Sequence, residues 1–485
     1  MADLPPDVNP QYIPIAIRRR YPHVGNVFYI DNWPFIAPML ITASPSTAKQ
    51  ITQEHSLPKF PPIRNFFRPI AGKYDLITME GPLWKKWRGV FNPGFGAAHL
   101  TSLIPQIIEE ALVFCDILRE RASSESLFLL KPLTDNFTVD VIGKLVLNVN
   151  FNCQKTPHPM VTALRRQVQW LSIGTELNLW ERWHPVRPFM HWYNARIMNR
   201  YVNQALEERF EAYTQQPDHE SNKSIIDRSI QTYLNDLPDD SAVPPETRSM
   251  DAASKELIAG QMKLFMFSGH DTTSASVCWS FYLLSKSPKN LDRIRTEHDE
   301  VFGTTLNRAP AMVSDDPHIL NRLPFTLAVI KETLRLFPVA SSTRLGEPGF
   351  SVVAEDERIY PTEGCLVWSS PHTIQRSPDF WPRPDDFIPD RWLVQPGHEL
   401  YPIKGAWRPF EFGPRNCIGQ ELALLEMKSV LVLAIRRFHF RMPYDEWDQL
   451  HPTKLPRNVA GERAYQAGNG GPSEGMPCRV EIRSE

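Results

Sequence analysis

Apolar positions change their spacing along this chain, first alternating and then recurring every three or four residues. Val27 to Ile30 and Met39 to Thr42 are β-rich runs separated by a short turn-bearing segment, which predicts an early hairpin. From Pro82 onward the spacing becomes helical. Thr101 to Arg121, Thr134 to Leu147 and Ala195 to Tyr213 each place apolar residues three and four apart. Gln215 to Asp251 is polar, carries Pro238, Pro244 and Pro245, and reads as a surface connection. Asp251 to Ser287 is apolar on most faces, and at 1.5 Å per residue its helix would run about 55 Å through a core. Pro324 to Leu336 is a further helix stopped by Pro338, and a last strong one starts near Cys417 and ends near Phe438.

The fold class predicted is mainly α with a small β portion, organised as a single large fold. A lead of residues 1–20 precedes a β-rich start at 21–65, and the helical body covers 82–345. A β and loop meander fills 346–416, a helix follows at 417–438, and strands and loops close the chain at 439–485. No internal repeat is present. The 485 residues, 42% hydrophobic, suffice for a large core, and 45 prolines imply many ordered loops between elements. A net charge of −2 disfavours a nucleic-acid partner for the chain as a whole. Cys115, Cys153, Cys278, Cys365, Cys417 and Cys478 form no CxxC pair, which reads as reduced thiols facing a cytosolic compartment. Phe35 to Ala43 is interrupted by Pro38 and is far below the roughly 20 residues of a membrane span.

The most informative stretch is Phe410-Glu411-Phe412-Gly413-Pro414-Arg415-Asn416-Cys417-Ile418-Gly419. A Gly/Pro loop there delivers a cysteine to the start of a helix, where unpaired N–H groups and the positive helix end favour a thiolate. Gly413 and Gly419 let a flat object approach the backbone, and Arg415 offers a cation to a carboxylate. A buried structural cysteine is the plainer reading of such a turn. The segment resembles the Phe-x-x-Gly-x-Arg-x-Cys-x-Gly haem loop of the cytochrome P450 family, whose five fixed positions would arise by chance in roughly one of ten thousand chains this long. The resemblance extends from about Tyr21 to Val480. It implies haem b bound by the thiolate of Cys417, with Phe410, Gly413, Arg415 and Gly419 shaping the haem loop.

Further motifs acquire meaning from that resemblance. Glu332 and Arg335 stand three apart on one helix face, as solvated pairs often do, and the family pairs them with a downstream arginine, here Arg391. The implied role is a buried structural lock. The family more often carries Glu where Asp390 stands, and His where Gln375 stands. Trp84 and Arg88 match the family's propionate-binding Trp-x-x-x-Arg, although an amphipathic turn would look the same; Arg344 stands where another propionate-binding arginine is usual. In Phe267-Ser268-Gly269-His270-Asp271-Thr272-Thr273 the small and hydroxyl residues predict a local distortion of the long helix. By resemblance Thr272 holds a water beside bound dioxygen and Asp271 links it to solvent, against readings as a packing threonine and a salt-bridged surface acid. His270 reads as structural.

The implied activity is a monooxygenase acting on a small, largely apolar substrate with O2, with NADPH electrons arriving through a separate flavoprotein reductase. Gln53 to Phe60 and Gly461 to Gln466 resemble fungal secondary-metabolism members. The alternatives are oxidative coupling, cyclisation or desaturation on the same thiolate haem, and more distantly a non-catalytic haem sensor. Ile70 to Thr78, Phe265 to Gly269, Val339 to Thr343 and Gln466 to Asn469 are pocket walls or plain core. Lys85, Lys86, Arg383, Lys404, Arg408 and Lys428 are offered as a basic face for the reductase, with a solvated surface as the rival reading. Trp180, Trp183, Phe189, Trp192 and Tyr193 either rest on a membrane surface or pack internally. The protein is expected to be a monomer on the cytosolic face of the endoplasmic reticulum if an anchor was removed, otherwise cytoplasmic.

Overall fold

The computed structural model describes residues 4–31, 37–172, 183–215, 224–236, 249–468 and 470–483. It divides into two compact units, the first formed by residues 1–58, 104–135 and 271–485, the second by 59–103 and 136–270.

The first unit holds the described sheets. Val27–Ile30 and Met39–Thr42 pair antiparallel with Tyr29 opposite Leu40, the hairpin their alternation predicts. Met39–Thr42 then pairs in parallel with Leu366–Ser369, whose other edge takes Ser342–Leu345 antiparallel. Leu40 and Val367 face each other across that ladder and pack with Val27, Ile51, Leu57 and Val352. The helices of this unit include Ile104–Ser123, Pro288–Phe302, Pro324–Leu336 and Gln420–Arg437. Pro324–Leu336 is buried along nearly its whole length, including the charged Glu332 and Arg335. The N-terminal lead is tied down: Asn9 N donates to Gln466 O at 2.9 Å and Tyr465 Oη to Asp7 Oδ1 at 2.7 Å.

The second unit is helical: Pro62–Ala71, Gly81–Phe91, Pro159–Gln169, Arg187–Gln215 and Ile225–Asn235. The last of these lies inside the stretch read from sequence as a surface connection. A capping box at Ser224 and Asp227 starts it, and Arg209 grips Asp227 at 2.7 Å, so local capping and one ion pair make a helix of a polar segment.

Ala252–Ser285 is one unbroken helix of 34 residues, belonging to the second unit up to His270 and to the first from Asp271. The expected distortion at its middle is absent. Gly269 serves packing instead, since a Cβ there would stand 2.7 Å from Ile142 Cδ1. Among the described residues no helix is long and apolar enough to cross a membrane.

Candidate active site

The Pro324–Leu336 helix carries Glu332 into the first unit with no solvent exposure, so its carboxylate must find all its donors in protein. It finds five. Oε1 accepts from Arg335 Nη2 at 2.8 Å, Arg391 Nε at 3.1 Å and Ile388 N at 3.0 Å; Oε2 accepts from Arg335 Nε at 2.9 Å and Trp392 Nε1 at 3.1 Å. Arg335 spends its other N–H groups on the carbonyls of Gln375, Pro384 and Asp386, at 2.8, 2.6 and 2.9 Å. Glu332, Arg335 and Arg391 are thus brought together as a fully buried ionic cluster. Asp390 takes no part: it pairs with Arg293 at the surface, 2.6 Å away.

Gln375 connects this cluster to the cysteine loop, a link no sequence signal announced. Its Nε2 donates to the carbonyls of Leu334 and Arg335 at 3.0 and 2.9 Å, and its Oε1 accepts Arg408 N at 2.6 Å. An imidazole has only two ring nitrogens and could not make three such bonds, so Gln375 is a substantive departure from the family's usual His.

The loop itself is closed by Cys417 N donating to Phe410 O at 2.9 Å and Asn416 N to Gly413 O at 3.2 Å. Gly413 has φ +87°, and a Cβ on it would lie 2.1 Å from Thr52 O. Its smallness seats the loop against neighbouring backbone within the protein. Gly419 is the N-cap of Gln420–Arg437, so Cys417 precedes that helix instead of lying in its first turn. Phe410 stands edge-on to Trp407 with ring centroids 5.9 Å apart. Arg415 is half-buried on the same loop.

Of the six cysteines, Cys417 is exposed and the other five are buried. Burial pushes the thiols of Cys115, Cys153 and Cys278 up to about 12, which removes them as thiolate ligands at neutral pH. An accessible sulfur on a loop ahead of a helix fits the donor that an iron porphyrin requires. Cys417 would hold the haem at the metal, and Arg344 and Arg415 of the same unit are candidate cations for its carboxylates.

Arg344 is buried on strand Ser342–Leu345 and donates from Nη1 to Leu57 O at 3.0 Å. Trp84 and Arg88 lie in the second unit on Gly81–Phe91, which buries Trp87 and Phe91 and leaves those two half-buried. At the middle of the central helix, Asp271 pairs with Lys131 at 2.6 Å, and Thr272 O accepts from Ser276 Oγ at 2.9 Å. His270 donates from Nδ1 to Met266 O at 2.8 Å, a hydrogen bond within its own helix.

Two members of the proposed basic face are corrected. Arg408 is fully buried, bonded to Thr52 Oγ1 at 2.9 Å and paired with Glu411, and Lys428 is buried with Nζ 3.3 Å from Leu320 O. Neither can meet a partner protein. Lys404 and Arg383 are exposed in the first unit, as are Lys85 and Lys86 in the second, where Lys86 pairs with Asp236. The pocket-wall stretches fall two to a unit. Phe67 and Phe267 meet edge-on at 5.8 Å in the second, and Gly470 approaches Val339 O so closely in the first that a Cβ would lie 2.4 Å from it. Asn469 and Trp180 lie outside the described residues.

The sequence profile described as Cytochrome P450 matches residues 15–460. Cytochrome P450 monooxygenase polC of Polytolypa hystricis is 42% identical over 483 residues, covering 99% of this chain and 85% of the relative. Cytochrome P450 monooxygenase acrF of Aspergillus aculeatus is 33% identical over 503 residues, covering 98% of both. The crystal structure of a cytochrome P450, CYP102L1, superposes with a TM-score of 0.75 at 18% identity, covering 98% of this chain and 95% of the other, a likeness of fold. Haem b is the family's cofactor, and NADPH reaching it through a separate reductase is standard for eukaryotic members. The chain belongs to the cytochrome P450 family and is an oxidoreductase of the monooxygenase type.

Proposed function

We propose that this enzyme inserts one oxygen atom of O2 into a small, largely apolar secondary metabolite, with electrons from NADPH delivered by a flavoprotein reductase. The observation that carries the reading is the single exposed thiol, Cys417, on a loop tied through Gln375 to the saturated Glu332 cluster. When bound, the haem supplies oxygen activation, its thiolate ligand pushing electron density that favours O–O cleavage. Trp84, Arg88, Arg344 and Arg415 are the candidate partners of its propionates. Thr272 holds a water on the oxygen side, and Asp271 links that water to solvent. The polC and acrF relatives support the monooxygenase reading, and their fungal origin supports the substrate class.

The remaining exposed cations, Lys85, Lys86, Arg383 and Lys404, are the docking candidates for the reductase. Exposed Trp183, Phe189 and Trp192 around the start of Arg187–Gln215 support contact with a membrane surface, consistent with a place on the cytosolic side of the endoplasmic reticulum.

The test is the reduced protein under carbon monoxide. The red-shifted band of cysteinyl haem is expected, and Cys417→His should replace it with a histidine-type spectrum. A histidine-type band in the unaltered protein would overturn the ligand assignment. Product masses from reductase, NADPH and candidate metabolites then separate the activities: a gain of one oxygen supports insertion, while a loss of two hydrogens would make the enzyme a desaturase or coupling catalyst.

A further inference from the structure

The first turn of helix Leu130–Leu147 and the middle of the central helix meet at a cluster in which Asp271 is joined by residues outside the sequence motifs. Lys131 Nζ stands 2.6 Å from Asp271 Oδ1 and 2.5 Å from Asp135 Oδ1, with its side chain 12% exposed and each carboxylate 19%. Ser274, fully buried, donates its hydroxyl proton to the same Asp135 Oδ1 at 2.5 Å and lies 3.0 Å from Asp271 O. One turn further along, Thr134 Oγ1 and Cys278 Sγ are 3.3 Å apart. Beside the Lys131–Asp271 pair, the two helices are also fastened by Ser274–Asp135 and Thr134–Cys278, contacts that do not use the Asp271 carboxylate.

We propose that Lys131 is a positioning residue for proton delivery, holding Asp271 beside Thr272 while sharing its charge with Asp135 so that Asp271 can be released. The proposal rests on the reading of Asp271 as the link to solvent. Its physical core is the sharing. A buried ammonium with one carboxylate would hold it fast, because separation strands a charge in a low-dielectric site. With Asp135 retained at 2.5 Å, departure of Asp271 leaves Lys131 still paired.

Lys131 is not itself the proton donor. Burial pulls its ammonium down, but Asp135 and Asp271 outweigh that and raise it above the ordinary lysine value, so it stays a fixed cation.

The test compares Lys131→Met, Lys131→Arg, Asp271→Asn and the Lys131→Met/Asp271→Asn double variant as haem-loaded proteins with reductase. The readouts are peroxide formed per NADPH, the solvent deuterium isotope effect, and the ¹⁵Nζ–¹H signal of Lys131 in the ferrous carbon monoxide form. Lys131→Met should waste electrons as peroxide about tenfold more, an order below the roughly hundredfold of deleting a proton carrier. Lys131→Arg should restore much of the coupling, and the double variant should be no worse than Asp271→Asn alone. The ammonium signal should be protected from solvent exchange and move in Asp271→Asn.

Unchanged coupling and isotope effect in Lys131→Met, while Asp271→Asn is impaired, would overturn the positioning role and leave Asp271 in place. An unimpaired Asp271→Asn would remove the reading beneath both. If Lys131→Met does not load haem, the arginine variant and the ammonium signal decide: an ammonium in free exchange, with Lys131→Arg as poorly coupled as Asp271→Asn, would sink the proposal.

Discussion

Two triads of charge lie in the first unit, and their difference separates scaffold from machinery. Around Glu332 one carboxylate meets two guanidiniums, every member is at zero exposure, and five donors converge on two oxygens. Around Lys131 one ammonium, 12% exposed, meets two carboxylates that each keep 19% exposure, with the Ser274 hydroxyl in support. A carboxylate offers about four lone-pair sites, so Glu332 is saturated and has nowhere to move. Asp271 is held by a cation it shares, and an arrangement with one tether released is still paired. On the proposed role of Lys131, the same chemistry gives a fixed cluster when oversupplied with donors and a releasable one when the cation is shared.

The largest effect should come from breaking the saturated triad. Glu332→Gln keeps the shape but leaves Arg335 and Arg391 buried without a counter-charge, costing about 3–5 kcal/mol. Because Gln375 carries the strain from Arg335 to Arg408 and the cysteine loop, the expected outcome is protein with little bound haem. Normal haem content, measured as pyridine haemochrome per chain, would show that the cluster is not what holds the loop. Lys131→Met should by contrast load haem fully and fail only in coupling.

How much of this was legible in sequence follows from what each residue's partners are. The hairpin, Pro324–Leu336 and the cysteine loop announce themselves because their signals are local: alternation, a proline at each end, and a motif with fixed spacing. Glu332, Arg335 and Arg391 were also legible, through family likeness. Gln375 and Trp392 were not, nor was the tie from Lys131 to Asp271, since those partners lie 33 to 140 residues away; only the Lys131–Asp135 pair, four apart on one helix, is local. Arg408 and Lys428 misled for the complementary reason: charge suggests a surface until the fold supplies a buried acceptor. The packing role of Gly413 was not legible either, because the Thr52 carbonyl it accommodates is 361 residues distant in the chain.

An intermediate effect sharpens the contrast with a buried titratable group that has no counter-ion. His298 is fully buried, and Thr326 Oγ1 gives its proton to Glu297 Oε2 at 2.6 Å, so it must accept from His298 Nε2 at 2.8 Å. Burial, aided by the Arg436 charge, lowers the imidazole to about 3. The folded value lies below the unfolded one, so the unfolded chain binds the extra proton as pH falls. Stability attributable to this residue is full above about 6.5 and declines by roughly 1.4 kcal/mol per pH unit below it. Urea midpoints between neutral pH and mildly acid pH should fall less steeply in His298→Gln than in the parent. Parallel slopes would mean the ring is protonated in the fold.

The smallest change probes whether the Glu332 cluster is oversupplied or merely complete. Trp392→Phe removes the Nε1–H at 3.1 Å from Oε2 and leaves the ring that packs near Trp381 and Trp407, at 5.9 and 5.6 Å. Glu332 would keep four donors, matching its lone-pair capacity, so the loss should be about 1–2 kcal/mol, the scale of one hydrogen bond to a charged group. Haem content should stay normal. If the variant instead loses haem as Glu332→Gln does, all five donors are indispensable and the contrast with the Lys131 triad reduces to burial alone. If the chemical-denaturation midpoint does not move, the indole N–H contributes nothing, and the rigidity of the cluster belongs to the two arginines and the Ile388 backbone.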